Sequence, residues 1–202
     1  EVCNDWDSVD LANIFKTSVP GGVWSGITVK FGKWFYPNKL FPGYYSVGYK
    51  KNNCEDFATI KVLPAPLIMN DTHLCEDVNY LNLLSKEPGK YYGDYVWGNS
   101  MQRFYPKSAG KGVHEIGFLS DRGCRDTMLV LLDSLTTIDK TQLPSVLCFN
   151  SSVYNPVIKP LGGKYIINLD TFSNWITSNW GSGNHLVKYH YSEGLCISKD
   201  SL

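Results

Sequence analysis

The sequence predicts an all-β fold: an antiparallel two-sheet β-sandwich with long loops and at most one or two short helices. Turn-forming residues such as Pro42-Gly43 and Gly162-Gly163 interrupt the chain about every 20 residues. Between these breaks lie short segments rich in β-branched and aromatic residues, which favour strands. No internal repeat, low-complexity segment or long helical periodicity competes with this interpretation.

The predicted strands follow one another along the chain. Residues 27–31 alternate apolar and polar side chains, as a half-buried strand does. Residues 91–97, 145–149 and 164–169 are apolar enough to form central strands of a sheet. In residues 186–191 the odd-numbered positions are apolar or aromatic and would share one face. The even-numbered positions of that last segment would form the other face.

Two segments admit a helix. Ser8 would cap residues 9–15, which are long enough for about two turns. The apolar residues within 127–138 fit either a helix or a buried strand, and we favour the strand. Because no linker divides the chain, we expect one β-sandwich domain over residues 1–202, which is enough to bury a core.

Charge and hydropathy limit the partners. Lys plus Arg and Asp plus Glu number 19 each, so the formal net charge is zero. A neutral chain lacks the basic surface that nucleic acids require, and we expect no nucleic-acid partner. No apolar run approaches the 18 residues needed to span a bilayer, and therefore we expect no direct membrane insertion by this fragment.

The six cysteines are dispersed over the whole chain, and no two form a Cys-x-x-Cys pair, the spacing typical of zinc and thioredoxin-like sites. An even number at wide spacing favours disulfides formed in an oxidising compartment, with buried free thiols as the alternative. Six cysteines allow fifteen pairings. The sequons at Asn70 and Asn150 agree with secretion and N-glycosylation. The predicted disulfide residues are Cys3, Cys54, Cys75, Cys124, Cys148 and Cys196.

Catalytic and metal-binding patterns are missing from the sequence. There is no P-loop, dinucleotide-binding glycine pattern, His-Glu-x-x-His or Gly-x-Ser-x-Gly motif. The acidic start of the chain lacks the glycine and later glutamate of a calcium-binding loop. We therefore predict no enzyme, no cofactor and no metal. A secreted hydrolase that uses His185 or His190 remains an alternative from another functional class.

Aromatic residues next to Gly, Pro and Asn are the remaining functional signal. Rings presented on loops give flat amphipathic surfaces that bind sugars and protein hot spots. Trp24, Trp34 and Trp97, in strand-like segments, are better explained by core packing. Tyr44, Tyr45 and Trp180 are the predicted ligand-binding residues because they lie in loop-like surroundings.

Four short segments carry a family resemblance. Residues 33–41 are similar to an early Tyr-Tyr-Pro-Asp segment, and residues 95–101 to an aromatic-Gly-Ser/Thr strand end. Residues 146–150 fall where a Val-x-Cys-x-Phe strand would come, and residues 186–196 resemble a closing strand, turn and cysteine. With these segments in this order, the chain resembles the N-terminal domain of coronavirus spike proteins. That resemblance implies a galectin-like sandwich.

The same resemblance implies that the cysteine at position 3 is tied to a mid-domain strand, with Cys148 as a possible partner. It also implies a fragment of a larger, trimeric surface glycoprotein displayed on the virion and matured through the host secretory pathway. The expected function is noncovalent attachment to a host-cell glycan or protein receptor. A structural, shielding domain of the spike trimer that binds no ligand is the other alternative.

Overall fold

The computed structural model describes residues 1–17, 19–148, 153–167, 170–172 and 181–201. The predicted all-β fold is confirmed, because the described residues are organised mainly in strands, with two single-turn α-helices. No helix among the described residues is long and apolar enough to span a bilayer. Contacts divide the chain into two compact units that alternate along the sequence.

Unit 1 comprises Glu1–Asp71, Asn82–Phe104 and Glu115–Leu129, and unit 2 comprises Thr72–Leu81, Tyr105–His114 and Val130–Leu202. The prediction of one domain over residues 1–202 stays a prediction.

The helices are α1 (Leu11–Ile14) and α2 (Pro106–Ala109), and a 3-10 turn spans Pro37–Lys39. The strands are β1 (Val2–Cys3), β2 (Val9–Asp10), β3 (Val23–Gly26), β4 (Val29–Lys30), β5 (Trp34–Phe35), β6 (Gly43–Lys51), β7 (Cys54–Leu63), β8 (Thr72–Cys75), β9 (Leu81–Asn82), β10 (Gly89–Tyr92), β11 (Val96–Trp97), β12 (Arg103–Phe104), β13 (Gly112–Ser120), β14 (Arg125–Asp133), β15 (Lys164–Ile167), β16 (Asp170–Phe172), β17 (Lys188–Glu193) and β18 (Cys196–Ser201).

The largest sheet of unit 1 has the strand order β1-β7-β6-β3. The long hairpin of β6 and β7 forms its centre, with nine paired positions from Gly43 opposite Val62 to Lys51 opposite Cys54. Strand β3 extends the sheet antiparallel to β6, and β1 pairs parallel with β7. The paired Cα positions Trp24 and Tyr49 lie side by side on adjacent strands of this sheet.

A second sheet of unit 1, with the order β2-β5-β4, shares a hydrophobic core with the first. Phe35 from β5 and Val9 from β2 meet Val47 from β6 and Ile60 from β7 in this core. Phe35 and Val47 are fully buried. Two sheets that enclose one apolar layer form a β-sandwich, because each sheet must bury one face against another element.

The remaining strands of unit 1 form shorter pairings. Strand β10 runs antiparallel to β13, and the buried rings of Tyr91 and Phe118 pack with their centroids 4.8 Å apart. Strands β11 and β12 form a two-residue hairpin ladder. The Gln102 side chain bonds both the backbone N–H and the carbonyl of Tyr91, at 2.7 and 2.9 Å. Strand β10 is therefore held by hydrogen bonds from Gln102 as well as by the packing of Tyr91 on Phe118.

Unit 2 contains a four-stranded sheet with the order β16-β15-β17-β18. Tyr165 and Tyr189 occupy opposite positions on β15 and β17, and their ring centroids are 5.0 Å apart in a core that also contains Ile158. Burial raises the pKa of Tyr165 to about 12, so this phenol stays neutral at physiological pH. Strand β8 pairs parallel with β14 through positions 72–75 and 130–133.

Several local expectations are confirmed, and others are wrong. Residues 125–133 are a strand in which Met128, Val130 and Leu132 are buried alternately, which confirms the strand preferred for this segment. In residues 186–191 Val187 and Tyr189 are buried on one face, as their periodicity predicts. The capped helix predicted over 9–15 is shorter, with Asp10 as its N-cap in place of Ser8.

The strand predicted over 27–31 forms only at its centre, where Val29–Lys30 make strand β4. The chain turns there, with positive φ at Thr28 and Phe31, because β4 must reverse direction to pair with β5. Residues 91–97 are likewise divided between β10 and β11 by a turn with positive φ at Tyr95. The described part of 145–149 forms no strand. Alternation or apolar content extends over each whole segment, but strands form only where a partner is in register, as at β4 with β5, β10 with β13 and β11 with β12.

Candidate functional site

Unit 1 contains an aromatic pocket with a volume of about 440 Å³. This volume lies within the range of small-molecule sites in proteins. We use the name aromatic pocket for the depression between the segment that follows α1 and the closed end of the β6–β7 hairpin. Its lining residues are Phe15, Lys16, Thr17, Val19, Trp24, Tyr49, Lys51, Asn52, Cys54, Glu55, Asp56, Phe57 and Ala58.

Three rings packed at tilted angles make one wall of the aromatic pocket. The Trp24 ring lies between Phe15 and Tyr49, with centroid distances of 5.4 and 4.8 Å. Trp24 is only 6% exposed, whereas Phe57 at the pocket is 68% exposed. The stack is fixed because the cross-strand register places Trp24 beside Tyr49. The pocket therefore offers a rigid apolar wall and one accessible ring.

The loop between α1 and β3 is tied to the pocket by the Tyr49 hydroxyl. This hydroxyl donates to the carbonyl of Val19 at 2.7 Å and accepts from the backbone N–H of Gly22 at 2.7 Å. The ammonium of Lys51 donates to the carbonyl of Pro20. A Cβ at position 22 would lie 2.5 Å from the Tyr49 ring, so only glycine allows this approach. These contacts hold one edge of the pocket in place.

The rim of the aromatic pocket is polar and balanced in charge. Lys16 and Lys51 oppose Glu55 and Asp56, all of which line the pocket. One Asp56 oxygen accepts the backbone N–H of Phe57 at 2.8 Å, which orients this carboxylate. Amide, ammonium and carboxylate groups beside rings suit a ligand that has both an apolar face and hydroxyl groups. No histidine occurs among the described lining residues.

The predicted ligand-binding residues do not form a common surface. Tyr44 is 72% exposed, and its ring lies 5.7 Å from the Lys61 ammonium. Tyr45, its neighbour on β6, faces the opposite side of the sheet, where it packs on the core and donates to the carbonyl of Phe41 at 2.7 Å. Neither lines the aromatic pocket. Trp180 lies outside the described residues.

Sequence reasoning missed the aromatic pocket as a unit. It assigned three tryptophans to the core, which is correct for Trp24, whereas Trp34 is half-buried and Trp97 is 55% exposed. It gave no role to Phe15, Tyr49 or Phe57. The alternation within residues 43–51 was the available signal, because it puts Tyr49 on the same face as the buried Val47. Nothing local indicates that the segment after α1 lies beside this strand.

Four of the six cysteines form two disulfides. Cys3 bonds Cys124 within unit 1, and Cys75 bonds Cys196 within unit 2. Cys3 therefore pairs with Cys124 rather than with Cys148, the partner that the family resemblance implied. The reason is topological: β1 joins the sheet beside β7, and this places Cys3 in a buried cluster with Cys124. These disulfides indicate a secreted or extracellular domain.

The other two cysteines belong to neither disulfide. Cys54 is exposed and carries a free thiol at the closed end of the β6–β7 hairpin, where its cross-strand partner is Lys51. Its predicted disulfide is therefore wrong. Cys148 is exposed as well, and Cys3, the partner that the family resemblance implied for it, is bonded to Cys124.

The histidines of the hydrolase alternative lie in unit 2. His185 is half-buried, and its Nε2 lies 3.1 Å from the carbonyl oxygen of Gly181. His190 lies on β17, where burial and then Lys199 and Lys188 hold the pKa of its imidazole below the ordinary value of 6.5. An activated nucleophile requires a histidine hydrogen-bonded to a serine hydroxyl or a cysteine thiol, and the hydrolase alternative stays a prediction.

A different histidine pairs with a carboxylate. The Nε2 of His73 lies 2.9 Å from Asp133, whose carboxylate also accepts the backbone N–H of Leu195 at 2.8 Å. The Leu195 bond, followed by His73, holds the pKa of Asp133 below its ordinary value of 3.8. A Cβ at position 194 would meet this carboxylate at 2.1 Å, so glycine is required in the turn. Through its contact with Leu195, Asp133 joins the end of β14 to the turn between β17 and β18.

The acidic start of the chain is bound by protein groups. Asp5 accepts the backbone N–H of Arg125 at 3.2 Å, and Asp7 accepts the side-chain amide of Asn38 at 3.2 Å. Asp10 caps α1 through the backbone N–H of Ala12 at 3.0 Å. Each carboxylate has its own structural partner, and the three do not converge on one point for a cation.

Asn70 of the first sequon is exposed and lies two residues before the start of β8, at a surface position suitable for a glycan. The neighbouring Asp71 accepts the backbone N–H of Leu129 at 2.8 Å, which fixes this part of the chain. Asn150, the second sequon residue, lies outside the described residues. Attachment at either position stays a prediction.

Comparison with known proteins gives no family. No protein-family model matches the chain, and no curated protein matches it. Among solved structures, extracellular domains 3–5 of Drosophila OTK are similar, with 9% identity, a TM-score of 0.36, and coverage of 79% of this chain and 69% of that one. The N-terminal eight Ig domains of Down Syndrome Cell Adhesion Molecule have 7% identity and a TM-score of 0.36, over 92% of this chain and 35% of that one.

A tri-modular GH5 endo-beta-1,4-glucanase from Bacillus licheniformis is similar over 62% of this chain and 35% of that chain, with 11% identity and a TM-score of 0.27. The chain thus spans about a third of the glucanase and of the adhesion molecule. At these TM-scores the similarities support neither a function nor a family. The functional argument rests on the described residues themselves.

Proposed function

We propose that this chain is an extracellular attachment domain of a viral surface glycoprotein that binds a host-cell glycan or protein receptor noncovalently. The aromatic pocket is the observation that carries the proposal. It combines an accessible ring, a rigid aromatic wall and a charge-balanced polar rim in about 440 Å³. The two disulfides and the all-β scaffold support an extracellular role. The viral assignment rests on the sequence resemblance alone.

The binding mode follows from the chemistry of the pocket. The apolar face of a sugar or of an aromatic side chain stacks against Phe57, the most exposed lining ring. Hydroxyl groups of the ligand bond to the side chains of Lys16, Asn52 and Glu55 at the rim. Because the rim charges cancel, the aromatic pocket favours an uncharged group over an ion. Several copies on one particle convert weak single contacts into firm attachment.

A glycan array tests this proposal directly. The full chain, displayed in many copies on a nanoparticle, is applied to the array and to cultured cells. Phe57→Ala removes the exposed ring of the pocket and is expected to lower affinity for the bound ligand about tenfold. Phe41→Ala is the matched control, because Phe41 is 87% exposed and does not line the pocket.

The outcomes separate the competing functions. Equal binding by both phenylalanine variants would exclude the aromatic pocket as the attachment site. An absence of binding to every glycan and to cells would favour the structural, shielding alternative. If any bound glycan is cleaved, and substitution of both His185 and His190 abolishes the cleavage, the hydrolase alternative replaces attachment.

A further inference from the structure

Three strands of unit 2 present a row of cationic side chains on one face. Lys164 on β15 lies opposite His190 on β17, and His190 lies opposite Lys199 on β18. Lys188 precedes His190 by two residues and therefore shares its face of the sheet. We call these four residues the cationic row. At about 4.8 Å between strands, the row spans about 10 Å across the sheet.

The charges of the cationic row are not neutralised within the described part of the protein. Lys164, Lys188 and Lys199 form no ion pair among the salt bridges between described residues. The nearby carboxylate of Asp200 is engaged by the ammonium of Lys140 at 3.0 Å, which holds the pKa of Asp200 below its ordinary value. Like charges directly opposite each other on adjacent strands destabilise a sheet, and this applies to Lys164 and Lys199 when His190, which lies opposite both, is protonated. An external anion would relieve this repulsion.

A depression of about 450 Å³ adjoins the row and gives an anion room to bind. It is lined by Lys188, His190, Lys199, Asp200 and Ser201. Side-chain donors come from two ammonium groups, one imidazole and one hydroxyl. The exposed lysines keep their ammonium groups in solvent, where a ligand reaches them without rearrangement of the sheet.

We propose that the cationic row binds the sulfate or carboxylate groups of an acidic glycan. The assignment to a glycan rests on the proposed attachment function, which brings the domain into contact with carbohydrate at the cell surface. Acidic glycans carry sulfate or carboxylate groups spaced along a chain, and three ammonium groups on three strands, joined at low pH by the imidazolium of His190, match one or two such anions. This site is in unit 2 and uses charge, whereas the aromatic pocket is in unit 1 and uses rings.

His190 makes the proposed site dependent on pH. In the free protein, burial and the flanking ammonium groups of Lys199 and Lys188 hold its pKa below 6.5, while Lys164 faces it from β15. A bound anion favours the protonated imidazole. Affinity is therefore expected to rise as the pH falls from 7.5 to 5.5, because binding and protonation of His190 strengthen each other.

The experiment uses a heparin-derived octasaccharide as the probe and the full chain as the protein. Changing Lys164, Lys188 and Lys199 to Gln together is expected to weaken binding about tenfold to a hundredfold, since three exposed charge contacts are lost. The matched control changes Lys39, Lys86 and Lys107 to Gln, three exposed lysines outside the row. Its net charge equals that of the row variant, so nonspecific attraction affects both alike.

Further measurements decide the outcome. Lys199→Glu is expected to weaken binding on its own, and His190→Asn to remove the increase in affinity at low pH. Equal binding by the row and control variants would overturn the proposal, as would full retention of affinity by the desulfated octasaccharide or a lack of octasaccharide binding. Stronger binding to phosphatidylserine vesicles or to DNA would reject the glycan assignment.

The two proposals fail separately. Phe57→Ala is expected to leave octasaccharide binding unchanged, because Phe57 lies in the aromatic pocket of unit 1. The row variant is expected to leave binding of an uncharged ligand to that pocket unchanged. Loss of both kinds of binding in one variant, with folding preserved by circular dichroism, would contradict the independence of the two sites.

Discussion

Removing one oxygen atom tests how the edge of the aromatic pocket is held. Tyr49→Phe deletes the hydroxyl that donates to the Val19 carbonyl and accepts from the Gly22 N–H, both at 2.7 Å. The ring remains, so its packing on Trp24 at 4.8 Å is retained. The substitution therefore isolates the polar contribution of Tyr49 from its apolar one.

The expected loss follows from the two hydrogen bonds. A typical intramolecular hydrogen bond contributes about 0.5–1.5 kcal/mol, so Tyr49→Phe should lower the free energy of unfolding by about 1–3 kcal/mol. For a chain of about 200 residues this corresponds to a fall in melting temperature of about 2 to 12 °C. Ligand affinity of the aromatic pocket should fall as well, because the loop that carries Val19 becomes free to move.

Thermal unfolding followed by circular dichroism measures the first effect, and titration with a glycan identified on the array measures the second. Tyr92→Phe is the matched control, since Tyr92 is 48% exposed and its hydroxyl has no hydrogen bond given by the structure. A melting temperature for Tyr49→Phe equal to that of this control would refute the reasoning. So would unchanged stability combined with a large loss of affinity, because the loop contacts would then not be stabilising.

Three further predictions concern the disulfides, a carboxylate and the glycan. Replacing Cys75 and Cys196 by Ser should lower the free energy of unfolding by about 3–5 kcal/mol, because their disulfide joins residues 121 positions apart. Cys54→Ser is the control and should change this free energy by less than about 0.5 kcal/mol. Urea titrations measure both values. Asp133→Asn should destabilise the protein at pH 7, and the difference in stability between the variant and wild type should shrink as the pH falls below 3.8. The reason is that folding lowers the pKa of Asp133. The stabilisation by its carboxylate is therefore present above the ordinary pKa and is lost as the pH falls through the folded-state pKa. Equal stability of wild type and Asp133→Asn across this pH range would contradict the assigned role. After expression in a secretory host, Asn70→Gln should remove one glycan by mass spectrometry, and an unchanged mass pattern would show that the first sequon is not used.

Local sequence patterns predicted much of the strand content. The apolar block within residues 127–138 indicated the strand β14, and alternation in residues 186–191 indicated which side chains of that segment are buried. Alternation in residues 27–31 predicted too long a strand, since the chain turns at Thr28 and Phe31 and only Val29–Lys30 pair with β5. Alternation describes which side chains avoid water, but a strand forms only where another strand offers hydrogen bonds in register.

The pairing of cysteines was beyond the sequence. The number and spacing of the cysteines indicated disulfides, but both bonds join residues separated by 121 positions. Which cysteines form a disulfide depends on the strand order, since Cys3 is part of β1 and β1 pairs with β7 at the edge of the sheet. The family resemblance suggested Cys148 as the partner of Cys3, and the sheet topology brings Cys124 there instead.

The sequence by itself determined a neutral, disulfide-forming, strand-rich chain, because composition and short-range periodicity depend only on neighbouring residues. The tertiary structure alone decided the two features on which the proposals depend. Phe15 and Phe57 line the same pocket only because distant segments pair in one particular register. For the same reason Lys164, His190 and Lys199 lie side by side on three adjacent strands. A one-residue slip of any of these strands would turn the side chains to the opposite face and remove both sites.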